Sequence, residues 1–235
     1  MSDLKIKIYS DGANVEDMVA ADSANTVDGF TTNPTLMAKA GISNYIEFAK
    51  EVLSSIKEKS ISFEVFSDDL DEMYTQAKIL KDLGENVFVK IPVSNTQKEY
   101  TYDLIEKLSN EGVKLNVTAL FTKDHIDNVF KSLNKDVESI ISIFAGRIAN
   151  AGIDPEPTMR YAVDLVKETP NFQILWASSR EVFNVIQAER TGTHIITLSP
   201  NLIAGMKDLG KDLDDFSLDT VKMFYKDATD AGYSI

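Results

Sequence analysis

The chain has 235 residues, 43% hydrophobic and 26% charged, which suffices for one sizeable core. Its net charge of −13 argues against nonspecific binding to nucleic acid or to an anionic membrane. There is no cysteine, which excludes disulfides, zinc–thiolate sites and cysteine nucleophiles.

The chain opens on Met1–Ile8, which has no signal-peptide apolar core. No apolar run approaches the roughly 20 residues of a spanning helix. The expectation is a cytoplasmic protein with no membrane partner. Eight short β-branched runs then recur: Lys5–Ser10, Val27–Thr32, Ile61–Phe66, Val87–Val93, Lys114–Phe121, Ser139–Gly146, Gln173–Ser179 and His194–Ser199. Helical spacing fills the intervals, as in Asp69–Leu83, Gln97–Asn110, Lys123–Leu133, Glu156–Lys167 and Glu181–Arg190. Asn33 before Pro34 reads as a helix cap with proline at the first helical position. Eight strands alternating with helices predict a single (β/α)8 TIM barrel over residues 1–235, with an extra amphipathic C-terminal helix at about 217–231. An open doubly wound sheet is the alternative, but neither glycine-rich nucleotide signature is present.

Chemistry in such a barrel gathers at the C-terminal strand ends. There the sequence places Asp11, then Thr31 to Asn33, then Glu64, Lys90, and Asn116 with Thr118. Ser142, Phe144 and Arg147 follow on the sixth strand, and Trp176, Ser178, Ser179 and Arg180 on the seventh. Lys90 lies within Val87–Val93, a run that reads as buried on both faces. Burial disfavours an ammonium ion and frees the amine as a nucleophile, so Lys90 is the candidate for a Schiff base with a carbonyl substrate. Period-two alternation puts Asn116 with Thr118 on one face, Ser142 with Phe144, and Trp176 with Ser178, with Trp176 pointing inward. The two histidines, His125 and His194, fall on a helix and at a strand start, which argues against a histidine triad or a metal site.

At these residues the chain resembles the transaldolase family, and especially its short subfamily that includes fructose-6-phosphate aldolase. The matching stretches are Val27–Leu36, Val89–Pro92, Lys114–Thr118, Ile143–Ile148 and Ile174–Arg180. The resemblance implies Lys90 as the Schiff-base lysine, Asp11 as the acid/base at carbon–carbon cleavage, and Glu64 with Thr118 as holders of a catalytic water. It implies Asn33, Asn116 and Ser142, beside Thr31, as contacts of the dihydroxyacetone unit. It implies Arg147, Ser178 and Arg180 as the pocket for a terminal phosphate. It implies no cofactor, and a homo-oligomer, pentameric or decameric, in which the C-terminal helix packs on a neighbouring subunit.

Phe144 and Glu64 are transaldolase-like, where the free-acceptor aldolases carry Tyr and Gln. Trp176 and Ser179 depart from the family, which usually has a small residue and an aromatic at these positions. The expected activity is transfer of a dihydroxyacetone unit from a ketose with a terminal anion to an aldose phosphate. The alternatives are a 6-deoxy-6-sulfofructose transaldolase, in which Trp176 and the serines would serve a sulfonate, an aldolase releasing free dihydroxyacetone, and a non-catalytic sugar-phosphate-binding barrel.

Overall fold

Strands form where β-branched residues cluster, and each is followed by a helix that covers its outer face. In the computed structural model, which describes residues 4–235, the first half comprises β1 (Lys7–Asp11), α1 (Val15–Ser23), β2 (Gly29–Thr31), α2 (Pro34–Lys39), α3 (Tyr45–Ser55), β3 (Ser60–Glu64), α4 (Leu70–Lys81) and β4 (Val87–Pro92). The second half comprises α5 (Tyr102–Asn110), β5 (Leu115–Leu120), α6 (Lys123–Ser132), β6 (Ser139–Ile143), α7 (Ala145–Asn150), α8 (Glu156–Val166), β7 (Phe172–Trp176), α9 (Phe183–Arg190) and β8 (Ile195–Leu198). Two more helices, α10 (Pro200–Gly205) and α11 (Leu213–Asp230), end the chain. Residues 1–3 of the expected 1–235 domain lie outside the described residues.

Every strand pairs in parallel with its sequence neighbours, and β8 returns to β1, closing the expected eight-stranded barrel. Alternate residues of each strand face outward and inward. The outward set includes Phe30, Phe63, Ile91, Val117, Ile143 and Trp176, all fully buried under the helices. Tyr9, Phe88, Ile140, Leu175 and Ile195 pack together as a separate inner cluster. The Tyr9 ring crosses β2 at Gly29, where a Cβ would come within 2.5 Å of it, so that strand position admits no side chain. Among the described residues no helix is long and apolar enough to cross a membrane.

Several boundaries differ from expectation, three of them away from β7 with a consequence for the helices. Helix α5 starts at Tyr102 rather than Gln97, because the Asn95 side chain accepts from the Gln97 and Glu99 amides and holds a turn. Strand β6 stops at Ile143 rather than Gly146, and the residues that follow form α7, with Phe144 at its N-cap. The C-terminal helix starts at Leu213, four residues early, because Asp212 caps it by accepting from the Asp214 and Asp215 amides. No residue of α11 is buried, and Val221, Phe224 and Tyr225 are 58%, 62% and 76% exposed.

Candidate active site

The C-terminal strand ends surround a cavity of about 630 Å³. Its lining includes Asp11, Thr31, Asn33, Glu64, Lys90, Thr118, Ser142, Phe144, Arg147, Ser178, Ser179 and Arg180, twelve of the fourteen residues singled out in the sequence. Three cations and two carboxylates thus meet in one space, so the site is locally cationic within a strongly anionic chain.

Lys90 owes its position to register. Glu64, Lys90 and Asn116 are successive partners across β3, β4 and β5, so their side chains enter the barrel side by side. Lys90 is 7% exposed, with its Nζ 3.0 Å from Glu64 Oε2 and donating to the Thr32 carbonyl at 3.3 Å. Behind Glu64, the Tyr45 hydroxyl from α3 donates to its carbonyl at 2.7 Å and steadies the end of β3. Burial pushes the Tyr45 phenol far above its usual range, so it remains a donor.

Asp11 accepts from the Thr31 hydroxyl at 2.8 Å. Burial pushes its carboxyl above the usual carboxylate range, while Lys90 and the Thr31 hydrogen bond pull it down. Thr118 Oγ1 has no hydrogen-bond partner among the described residues although it is buried at the cavity wall. An orphaned hydroxyl of this kind is a ready partner for a water or a substrate oxygen. Asn33 caps α2 through its Oδ1, which accepts from Leu36 N at 3.0 Å, and it also lines the cavity.

Asn116 is fully buried and does not line the cavity. Its amide donates to Ser62 at 2.9 Å and accepts from Ser142 at 2.6 Å, so it holds Ser142 in place from behind.

Trp176 faces the other way from its expected direction. Leu175 is in register with Ser142, and both line the cavity; Trp176 is in register with Ile143 and Ile196, which face the helices. Its indole N–H has no partner there among the described residues. The pairing with Ser178 fails because β7 ends at Trp176, and Ser178 adopts φ of +65°, which turns its side chain into the cavity against the strand alternation. A Trp176 N–H contact to a sulfonate is therefore not available, and the sulfonate reading loses that support.

The arginines flank this turn, Arg147 on α7 and Arg180 just after Ser178. The Arg147 guanidinium lies 5.5 Å from the centre of the Phe144 ring, which itself packs on Phe121 at 5.7 Å. Neither Arg147 nor Arg180 has an ion-pair partner among the described residues, and both are exposed at the mouth. The Arg180 and Glu181 amides donate to Asn184 Oδ1, which ties the loop to α9. With each end of its amide set against a complementary group, Asn150 accepts from Arg180 Nε at 3.3 Å and donates to the Gly146 carbonyl at 3.2 Å.

Gly146 itself fits where a Cβ would lie 1.7 Å from the Ser178 carbonyl oxygen. A Gly146→Ala substitution must push α7 away from the Ser178 turn. We expect it to destabilise the fold by about 3 kcal/mol and to disorder the arginine pair. Thermal unfolding checks the first effect and inhibition by inorganic phosphate the second.

The sequence reading missed Tyr45, Asn150, Asn184 and Thr197. Asn150 and Asn184 act through loop contacts that no periodicity reveals. Thr197 lines the cavity from β8, and period-two counting along that strand would have found it.

A family model described as Transaldolase/Fructose-6-phosphate aldolase matches residues 8–235. A protein of Dehalococcoides mccartyi named "Probable transaldolase" is 33% identical over 202 residues, covering 86% of this chain and 90% of that protein. One of the same name from Nitrosopumilus maritimus is 32% identical, covering 86% and 87%. Among solved structures, KGPDC from Streptococcus mutans superposes with a TM-score of 0.57 at 12% identity, covering 85% of this chain and 90% of that one. N-acetylneuraminate lyase from Mycoplasma synoviae superposes at 0.55 with 14% identity, covering 94% and 78%. These two likenesses concern the barrel fold.

Proposed function

The chain belongs to the transaldolase/fructose-6-phosphate aldolase family, and from that premise we propose that it is a Schiff-base transaldolase. It moves a dihydroxyacetone unit from a ketose with a terminal anion, of the fructose 6-phosphate type, to an aldose phosphate. The observation that carries this reading is the buried Lys90 amine, 3.0 Å from Glu64 in a cavity that also holds Asp11.

The Lys90 amine adds to the ketone carbonyl, and loss of water leaves an iminium ion. Glu64 and the unpartnered Thr118 hydroxyl, both on the cavity wall, hold the water that shuttles protons in this step. Asp11 then takes the proton of the hydroxyl on the far carbon of the bond to be broken, the one β to the iminium carbon. That bond breaks, its electron pair passes into the iminium to give an enamine, and the aldose phosphate leaves. A second aldehyde enters, the enamine carbon attacks it, and Asp11 returns the proton to the new alkoxide. Water then releases the ketose product and restores Lys90. Ser142, backed by Asn116, and Asn33 hold the hydroxyls of the bound unit, and Arg147, Ser178 and Arg180 hold the terminal anion.

Phe144 brings no hydroxyl to the cavity. The enamine is thereby spared an adjacent proton donor and survives until an acceptor arrives. Replacing Phe144 with Tyr should raise release of free dihydroxyacetone from fructose 6-phosphate at least about tenfold. An unchanged release rate would contradict this role.

The exposed apolar residues of α11 support a homo-oligomer in which this helix covers a second copy. Sedimentation should return a particle several times the mass of one chain, and a monomer at micromolar concentration would contradict it.

The activity itself is tested with fructose 6-phosphate alone and with an aldose phosphate acceptor. Product should form only with the acceptor. Dihydroxyacetone release at a similar rate without acceptor would support the aldolase reading, and binding without turnover the sugar-phosphate-binding one.

A further inference from the structure

Three residues from three adjacent strands form a hydrogen-bonded line at one side of the cavity. Thr31 of β2 donates to Asp11 Oδ1 of β1 at 2.8 Å, and the Thr31 and Thr197 hydroxyls lie 2.6 Å apart across to β8. Thr31 and Thr197 are 2% and 6% exposed. Each hydroxyl carries one proton. With Thr31's proton on the carboxylate, the short contact is satisfied only if Thr197 donates to Thr31. The line therefore runs in one direction, from Thr197 to Thr31 to Asp11.

The direction matters because it is hard to reverse. If Asp11 were protonated and donated to Thr31, the Thr31 proton would turn toward Thr197. The Thr197 proton would then have no protein acceptor among the described residues. An unmade bond in a buried site carries the full desolvation cost, whereas aligned hydroxyls polarise one another toward the carboxylate. Asp11 Oδ2 receives no protein hydrogen bond among the described residues, so that oxygen is left for a reacting hydroxyl.

We propose that Thr197 is a positioning residue for Asp11: through Thr31 it holds the carboxyl ionised and in one orientation, ready to act as a base. This deepens the proposed function, because Asp11 is the acid/base of that reading. The charged groups that share the cavity with Asp11 are Glu64 from β3, Lys90 from β4, Arg147 from α7 and Arg180 after β7. Helix α10, packed against β1, carries no titratable residue, and Glu16 and Asp17 on α1 are exposed to solvent. Burial opposes ionisation of Asp11, and the hydroxyl line and Lys90 oppose burial. Removing the line should therefore favour the protonated form.

The test compares the intact protein with Thr197→Val, which keeps the shape and loses the hydroxyl, and Thr197→Ser, which restores it. The carboxyl ¹³C resonance of Asp11, assigned by its loss in Asp11→Asn, is followed against pH. Its midpoint should move to higher pH in Thr197→Val and return in Thr197→Ser. In parallel, kcat should fall roughly three- to tenfold at neutral pH in Thr197→Val with KM little changed, and the acid limb of kcat/KM should move upward. If Thr197→Val folds poorly, Thr197→Ala serves in its place. A midpoint that coincides with wild type overturns the proposal, whatever the activity. A shifted midpoint in a protein without transaldolase turnover would uphold the hydroxyl line and refute the reaction.

Discussion

Replacing Lys90 with Met lowers turnover by on the order of 10⁴-fold or more. The cleaved bond leaves its electron pair on carbon, and the iminium formed by Lys90 is what receives it. Among the described residues no second lysine lines the cavity, and the two arginines there stay charged and cannot add to a ketone. Methionine is one atom shorter than lysine and fills most of the same space, so the barrel should close normally, and Glu64, partly open to the cavity, retains access to water. Circular dichroism should match wild type. Activity above about 1% of wild type would mean that the covalent step is not the source of the acceleration.

Asp11→Asn should act on chemistry and stability in opposite directions. Without a carboxylate the hydroxyl proton has no acceptor at the cleavage step, and kcat should fall about 10²- to 10⁴-fold. Labelling of Lys90 by donor ketose should survive, since the iminium forms before Asp11 acts. Burial raises the Asp11 carboxyl above its ordinary range, with Lys90 and Thr31 as weaker opposing influences. A carboxyl that binds its proton more tightly in the folded chain destabilises the fold as rising pH removes that proton. The amide never ionises. Asp11→Asn should therefore melt higher than wild type at about pH 8, and the gap should close as pH falls through the raised value of the folded carboxyl and be gone below the ordinary carboxylate value. A variant that melts lower across the whole range would show that the charge on Asp11 is compensated in the fold.

Most of the barrel was readable from local pattern because each strand is a β-branched run and most of the helices between strands carry their own apolar stripe. The closure into eight followed from the count. The polar groups of the cavity were readable for the same reason, since Asp11, Glu64, Lys90 and Thr118 each sit at the C-terminal end of an obvious strand. Trp176 was misread because alternation was counted through the end of β7. Ser178 lies past that end with a positive φ, so the parity inferred from it was the wrong one. Register with β6 supplies the correct parity, and register is a property of two strands that no single run contains. Asn116 was placed in the correct strand, but its hydrogen bonds to Ser62 and Ser142, which put it behind the cavity wall, join three strands. Asn150 and Asn184 were invisible for a related reason: they act on Arg180 from the end of α7 and the start of α9, whose placement depends on the closed barrel. The start of α5 was lost to a side-chain turn at Asn95 that outcompetes the helix.

Covalent capture at Lys90 is the most direct test of the central claim. Wild type and Lys90→Met are each incubated with fructose 6-phosphate, and in parallel with 6-deoxy-6-sulfofructose, then reduced with borohydride and weighed intact. The account predicts a dihydroxyacetone-sized adduct on wild type, located on the peptide containing Lys90, and none on Lys90→Met. The donor that labels faster identifies the terminal anion. An unmodified wild-type mass with both donors, or equal labelling of the Lys90→Met variant, would contradict it.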